Sequence, residues 1–359
     1  MKKVRTVILA EGSFADFGTS KTAYGILRFD PESVVAVIDS QNAGKDSAEI
    51  SGLGRGIPIV PDLSTALEYN PQRLIIGIAT VGGWFPQEWR KDIVFALENG
   101  LELVNGLHQM FGEDKEFSAA AARGGARIVD LRKEPEGLAV ASLRAQEVSA
   151  AVVLTVGTDC NTGKMTTAFE LVREAESRGI KARFAATGQT GIVLAGRGIC
   201  VDHVLSDFTA GAAEKLVLDE AADSSVELIV VEGQGGLTQP VYSGVALSLM
   251  HGSLPDAMIL CHRWDLDKVE LVETPMPPLA DHIKLCEEAM CLVKPARIVA
   301  LSISTRGLEE NTAQAVLDQA REETGLPATD PVRLGAGVLL DALLKNGLEK
   351  VPLYAGTVR

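Results

Sequence analysis

The residues whose types and spacing point most directly to chemistry begin at Val152-Val153-Leu154-Thr155-Val156. They continue through Gly157, Thr158, Asp159, Cys160, Asn161, Thr162, Gly163, Lys164, Met165, Thr166 and Thr167. An apolar strand runs into a glycine-bounded loop, and the loop opens a helix. Gly157 and Gly163 let the backbone curl without Cβ clashes, so loop amides and the helix N-terminus converge on an anion. Lys164 adds a point charge. The chemistry implied is phosphate binding; the plain alternative is a tight turn with an incidental lysine. Two features depart from the common P-loop. Gly157 and Gly163 are separated by one residue more than usual, and Met165 stands where Ser or Thr ordinarily ligates magnesium. Thr166 and Thr167 are the neighbouring hydroxyls that could substitute.

A second group follows at Leu228-Ile229-Val230-Val231-Glu232-Gly233-Gln234-Gly235-Gly236-Leu237, where a buried strand ends in a carboxylate and a glycine-rich turn. Ligands of α/β sheets sit beyond the carboxyl ends of the strands, so Glu232 is expected to reach the crevice of Lys164. Metal ligation, general-base chemistry, an ion pair with Lys164 and a purely structural role all remain open for it. Other polar groups fall at equivalent strand ends: Thr187-Gly188-Gln189-Thr190-Gly191, Cys261-His262-Arg263, Thr305-Arg306 and Thr329-Asp330-Pro331-Val332-Arg333. His262 is a candidate general base because an imidazole ordinarily titrates near neutrality. Arg263, Arg306 and Arg333 could clamp substrate carboxylates bidentately, and Gln189 and Gln234 join them as substrate-binding candidates. In the first third, Glu11-Gly12, Lys21-Thr22 and Asp39 sit at strand ends, as does Thr80-Val81-Gly82-Gly83-Trp84. Asp39 has the place of a ribose-binding acid, although no GxGxxG accompanies it.

The elements that must position these residues alternate regularly. Apolar runs at 6–10, 34–38, 74–79, 101–104 and 127–131 read as strands, with helical stretches such as 86–99 between them. A cluster of charge, Pro and Gly at 133–137 interrupts the pattern. Strands then resume at 151–156, 182–186, 228–231, 257–261 and 298–303. Continuous apolar runs indicate strands covered on both faces. The expected architecture is α/β: a Rossmann-like domain over 1–140, followed by a P-loop parallel-sheet domain over 141–359.

Composition narrows the partners. The 359-residue chain is 46 % hydrophobic and carries a formal charge of −14. That balance disfavours nucleic acid and anionic membranes, which need clustered cations. The first residues, Met1-Lys2-Lys3-Val4-Arg5, lead straight into a strand without a signal peptide's apolar core, so a cytoplasmic location is expected. A small-molecule substrate, a homo-oligomer and no metal are expected as well. The five cysteines have irregular spacing and no CxxC pair, which points to buried thiols.

At these residues the chain resembles known proteins. Gly157-Thr158-Asp159 with Gly163-Lys164, and Glu232-Gly233 with Gly235-Gly236, resemble the dethiobiotin synthetase branch of P-loop proteins. A closer likeness extends over nearly the whole chain. It rests on Leu9-Ala10-Glu11-Gly12, Lys21-Thr22-Ala23, Gly106-Leu107-His108 and Gly163-Lys164-Met165-Thr166-Thr167. It continues through Thr187-Gly188-Gln189-Thr190-Gly191, Ser206-Asp207-Phe208, Glu232-Gly233-Gln234-Gly235, His251-Gly252-Ser253 and Thr329-Asp330-Pro331. The chain is similar to a two-domain family long catalogued as a domain of unknown function, some members of which are described as D-glutamate N-acetyltransferases using acetyl-CoA. Met after the P-loop Lys is usual in that family. The stretch Ala300-Leu301-Ser302-Ile303-Ser304-Thr305 departs from the Asn-Thr pair expected there.

The resemblance implies an acetyl-CoA-dependent N-acetyltransferase of D-amino acid metabolism. The P-loop would hold donor phosphates, Glu232 or His262 would take the amine proton, and amides near Gly233–Gly236 would stabilise the oxyanion. An ATP- and magnesium-dependent ligase or kinase of dethiobiotin-synthetase type is the second expectation, with the metal near Asp159, Glu232 and a Thr. A non-catalytic nucleotide or CoA sensor is the third.

Overall fold

The computed structural model describes residues 3–272 and 274–346; Met1, Lys2, Glu273 and 347–359 of the expected domains lie outside the described residues. The chain divides into two compact units. One runs to Glu134 and also takes Ile192–His203; the other comprises Pro135–Gly191 and the chain from Val204 onward.

The first unit contains strands β1 (Thr6–Leu9), β2 (Val34–Ile38), β3 (Ile59–Val60), β4 (Arg73–Ile76), β5 (Glu102–Asn105) and β6 (Ile128–Asp130). Its helices are α1 (Lys21–Phe29), α2 (Ser47–Ser51), α3 (Leu63–Leu67), α4 (Arg90–Glu98) and α5 (Lys115–Gly124). All strand pairs are parallel, in the order β3-β2-β1-β4-β5-β6. This is the doubly wound order of a Rossmann-like sheet. Val7, Ile8, Leu74 and Leu103 are completely buried, as continuous apolar strands sandwiched by helices must be. Side chains of Asp46, Asp62 and Asp114 cap the N-termini of α2, α3 and α5.

The second unit holds β7 (Ala151–Gly157), β8 (Ala182–Ala185), β9 (Leu228–Val231), β10 (Ala257–Arg263), β11 (Arg297–Ser304) and β12 (Ala328–Thr329). Its helices are α6 (Lys164–Ser177), α8 (Ser206–Glu220), α9 (Ser243–Ser253), α10 (Leu279–Met290), α11 (Glu310–Thr324) and α12 (Gly337–Lys345), and α7 (Gln189–Ala195) begins in this unit, with Ile192–Ala195 assigned to the first. The sheet is again parallel, in the order β12-β11-β10-β7-β9-β8. Strand β7 therefore lies between β10 and β9, and its carboxyl end delivers the glycine loop to the middle of the sheet edge.

Some expectations need correction. The two-residue edge strands β3 and β12 are too short to show a periodicity. The run expected over 74–79 leaves the ladder after Ile76, and the helix expected over 86–99 opens as a 3₁₀ turn at Gln87–Trp89 before α4. Cys200, Cys261 and Cys286 are buried, but Cys160 is half-buried and Cys291 is exposed. Among the described residues, no helix is long and apolar enough to cross a membrane.

The end of β7 opposite the loop is held by a buried ion pair. Lys294 Nζ lies 2.5 Å from Asp256 Oδ1 and donates to the Leu254 carbonyl at 2.7 Å. Asp256 Oδ2 accepts from the Val152 amide at 2.8 Å. Lys294→Met would leave the Asp256 carboxylate buried without its cation, at a cost of about 3–5 kcal/mol. Urea denaturation should show that loss, and a change below about 1 kcal/mol would contradict it.

Candidate functional site

The site starts with the turn at the end of β7. Gly163 has φ +89°, a conformation that favours glycine, and immediately precedes α6. Asn161 also adopts a left-handed conformation, with φ +54°. The curl points the opening of α6 at the loop interior, where the amides of the first turn have no intrahelical partner. Lys164 is buried, and its Nζ donates to the Asp159 carbonyl at 2.6 Å and to Thr162 Oγ1 at 3.3 Å. Ala168, Leu171, Val172 and Ala175 are buried, which seats α6 against the sheet.

Two of the oxygen groups that a magnesium ion would use are committed elsewhere. Thr167 Oγ1 donates to the Gly163 carbonyl at 2.9 Å and lies 2.7 Å from Ser302 Oγ and 3.5 Å from Cys261 Sγ. The Asp159 carboxylate is fully buried. Its Oδ1 accepts from the Cys160 amide at 2.6 Å and from Gln239 Nε2 at 3.3 Å, and its Oδ2 accepts from the Glu270 amide at 2.6 Å. Asp159 thus pins two neighbouring segments to the loop. Thr166 is half-buried on α6. Among the described residues, no group of three or more His, Cys, Asp or Glu side chains is placed to hold a metal.

Glu232 follows β9 and is almost fully buried. Its Oε2 accepts from the amides of Thr187 and Gly188 at 2.9 and 3.1 Å, and its carbonyl accepts from Thr187 Oγ1 at 2.7 Å. Gln234 Nε2 donates to the same Thr187 hydroxyl at 3.0 Å. The turn at Thr187-Gly188 and the start of α7 therefore close over Glu232. Gly191 leaves room for the carboxylate, since a Cβ there would stand 2.4 Å from Glu232 Oε2. Gln189 is buried at the start of α7. A Cβ on Gly233 would lie 3.1 Å from Lys164 Cδ, so the stem of Lys164 runs directly beside the Glu232-Gly233 turn.

His262 lies on the other side of β7. Its Nδ1 is 2.9 Å from Thr158 Oγ1, and the ring is half-buried. Burial, with the neighbouring His282 and Arg263, pushes its pKa down to about 4. The premise that His262 titrates near neutrality is therefore corrected: desolvation keeps it uncharged well below neutral pH. The strand order separates the backbones of Glu232 and His262 by two strand spacings, roughly 10 Å. Glu232 also leans toward β8, away from His262, so the two candidates flank the loop rather than form a dyad.

The arginines are largely engaged. Arg263 Nε pairs with Asp265 at 2.6 Å and its terminal nitrogen with Glu270 at 3.3 Å. Arg333 donates to Thr305 Oγ1 at 3.3 Å and to the Leu308 carbonyl at 2.6 Å. Arg306 is exposed, and its carbonyl accepts from Trp264 Nε1. Asp330 binds the amide and hydroxyl of Thr305 at 2.8 and 2.6 Å, which gives the Thr329-Asp330-Pro331 motif a loop-building role. In the first unit, Asp39 accepts from the Gly12 amide at 3.0 Å and from Asn42 at 2.7 Å; its oxygens serve the fold in the place expected of a ribose acid. Sequence reasoning missed Gln239, Glu270, Ser302 and His282. Gln239 follows Gly236 closely enough to have been suspected, whereas the other three reach the loop only through tertiary packing.

Fold and site together define a two-domain α/β protein: a Rossmann-like unit and a unit with a P-loop that lacks the usual hydroxyl after its Lys. Residues 40–134 match the Rossmann-like DUF1611_N model and residues 139–340 the P-loop DUF1611_C model, both described as domains of unknown function, and the chain belongs to the DUF1611 family. It is 35 % identical over 348 residues to a D-glutamate N-acetyltransferase from Tritonibacter scottomollicae, covering 94 % of this chain and 97 % of that one. A second D-glutamate N-acetyltransferase, from a Pseudoalteromonas species, is 31 % identical and covers 78 % of this chain and 82 % of its own. A crystal structure of a DUF1611 family protein from Anabaena variabilis superposes with a TM-score of 0.91 at 39 % identity, covering 96 % of this chain and all of that one.

The His262 environment sets a pH dependence. Its folded value of about 4 lies below the ordinary 6.5, so the unfolded chain takes the proton first as pH falls. Stability held by neutral His262 is complete above pH 6.5 and drains between there and about 4. The loss should be on the order of 1–3 kcal/mol in urea denaturation, with a shallower slope in His262→Gln. Identical slopes for the two proteins would contradict this account.

Proposed function

We propose that this chain is an acetyl-CoA-dependent N-acetyltransferase acting on D-glutamate or a similar amino acid, with the P-loop holding phosphates of the donor. The observation that carries the reading is the commitment of the loop's oxygens. Met165 offers none at the usual magnesium position, and Thr167 is tied to Gly163 and Ser302. Such a loop suits phosphates that are gripped and not transferred. The names of the two relatives, matched over most of their lengths, support the same reaction class.

In the reaction the substrate nitrogen attacks the thioester carbonyl, a proton leaves the nitrogen, the C–S bond breaks and the thiolate departs as CoA. Glu232 is assigned the proton. The Thr187 and Gly188 amides fix its carboxylate, so little reorganisation is needed when the proton arrives. Gln189 and Gln234, beside it, are assigned to the polar groups of the amino acid. Lys164 and the first-turn amides of α6 are assigned to the phosphates, which requires the ammonium to turn from the Asp159 carbonyl toward the ligand.

Purified protein with acetyl-CoA should release free thiol only when D-glutamate is added, as a thiol-reactive dye will report. Glu232→Gln should lower kcat about 10²- to 10⁴-fold. Lys164→Ala should chiefly raise the KM for acetyl-CoA. Absence of amino-acid-dependent thiol release across D-glutamate and related dicarboxylic and neutral amino acids would overturn the proposal. Magnesium-dependent phosphate release from ATP would favour the ligase reading.

A further inference from the structure

The Thr158–His262 pair has a handedness that its surroundings decide. Thr158 is fully buried, and His262 Nδ1 at 2.9 Å is the partner of its hydroxyl among the described residues. If Nδ1 carried the proton and donated, the threonine proton would be buried without an acceptor. An unsatisfied buried donor costs about 1–3 kcal/mol, whereas unused lone pairs on a hydroxyl oxygen cost less. The hydroxyl therefore donates to Nδ1. A neutral imidazole whose Nδ1 accepts carries its proton on Nε2.

Helix α10 adds a second constraint. It connects the parallel strands β10 and β11, so it runs against them and starts at their carboxyl edge. Cys286 on this helix lines a small apolar cavity together with Gly157, Gly236 and Leu249. His282 lies one turn earlier on the same face, about 6 Å nearer the edge where Thr158 and His262 sit. His282 is only 2 % exposed, and its Nε2 has no hydrogen-bond partner among the described residues. Among the described residues, the charged and titratable groups bearing on His262 are Arg263 and Asp265 from its own segment and His282 from α10. Two of these three oppose a positive ring, and the burial of the ring opposes it further.

We propose that Thr158 holds His262 as the neutral, Nε2-protonated tautomer, and that His262 serves as a hydrogen-bond donor to phosphate oxygens of the ligand on the P-loop instead of as a base. The proposal rests on the phosphate-holding reading of the loop. It gives His262 a ligand-binding role and Thr158 a positioning role. It also accounts for the separation of His262 from Glu232, since a donor at the loop need not meet the base.

The first test needs no ligand. Two-bond ¹H–¹⁵N spectra of the ¹⁵N-histidine-labelled protein at neutral pH, with His262 assigned through His262→Gln, should show the Nε2–H pattern, and Thr158→Val should release it to a mixture of tautomers. An Nδ1–H pattern in the wild type overturns the proposal. The second test is calorimetry with CoA and with acetyl-CoA. His262→Ala should weaken both by about tenfold, as expected for one lost hydrogen bond to a charged group. His262→Gln, whose amide nitrogen replaces Nε2–H, should stay within about threefold of wild type, and His262→Asn, which mimics Nδ1, should not. Thr158→Ser should bind like wild type and Thr158→Val weakly. Unchanged CoA affinity in a folded His262→Ala protein overturns the inference alone. Failure of the wild type to bind either CoA species removes the phosphate reading itself and the donor role with it, while the tautomer is still reported by the ligand-free spectra.

Discussion

The close approach of two glycine turns is the constraint on which the site depends. Gly233 packs so tightly on β7 that a Cβ there would stand 1.7 Å from the Thr155 carbonyl oxygen, and one on Gly236 would stand 2.6 Å from that of Gly157. The Gly233 amide donates to Thr155 Oγ1 at 3.0 Å, and Thr238 Oγ1 donates to the Thr158 carbonyl at 3.1 Å. These contacts lock the segment after β9 to the loop after β7, with no Cβ on either glycine to hold the backbones apart. The stem of Lys164 consequently runs beside the Glu232-Gly233 turn, and neither turn can shift without the other.

From that junction the remaining polar groups fall into two shells with different tasks. Asp159, Gln239 and Glu270 tie down the outside of the loop, because a buried carboxylate must be satisfied and here backbone amides do most of it. Thr187, Gly188 and Gln234 do the same for Glu232 and its turn. What is left for the anion position is the opening of α6 with Lys164, joined by His262 in the donor role proposed above. In the proposed function an arrangement so heavily braced serves as a fixed cradle.

Much of this was legible in the residues. The strands 34–38 and 228–231 have the bounds their apolar runs indicate, and β7, Gly163 and α6 follow from a glycine-bounded loop between a β-branched run and an amphipathic helix. The position of Glu232 followed from the rule that strand ends carry the site. What sequence could not show was commitment. Nothing in the spacing of Thr167, Asp159 or Arg333 says that Ser302, Glu270 and Leu308 will occupy them, because those partners come from β11 and from the segments after β10 and β11. The depressed titration of His262 likewise depends on burial and on His282, twenty residues away on α10. The two-residue strands β3 and β12 exist only because an edge is there to pair with.

The central claim is that the loop holds an acyl carrier's phosphates without needing a metal. Differential scanning fluorimetry settles it most directly, comparing acetyl-CoA in the presence of a chelator with ATP plus magnesium. Ligand at about 100 times its Kd adds about 2.7 kcal/mol of stability. The account predicts a rise of several degrees in Tm with acetyl-CoA despite the chelator, lost in Lys164→Ala, and little change with ATP and magnesium. A shift produced by ATP and magnesium alone, with none from acetyl-CoA, would contradict it.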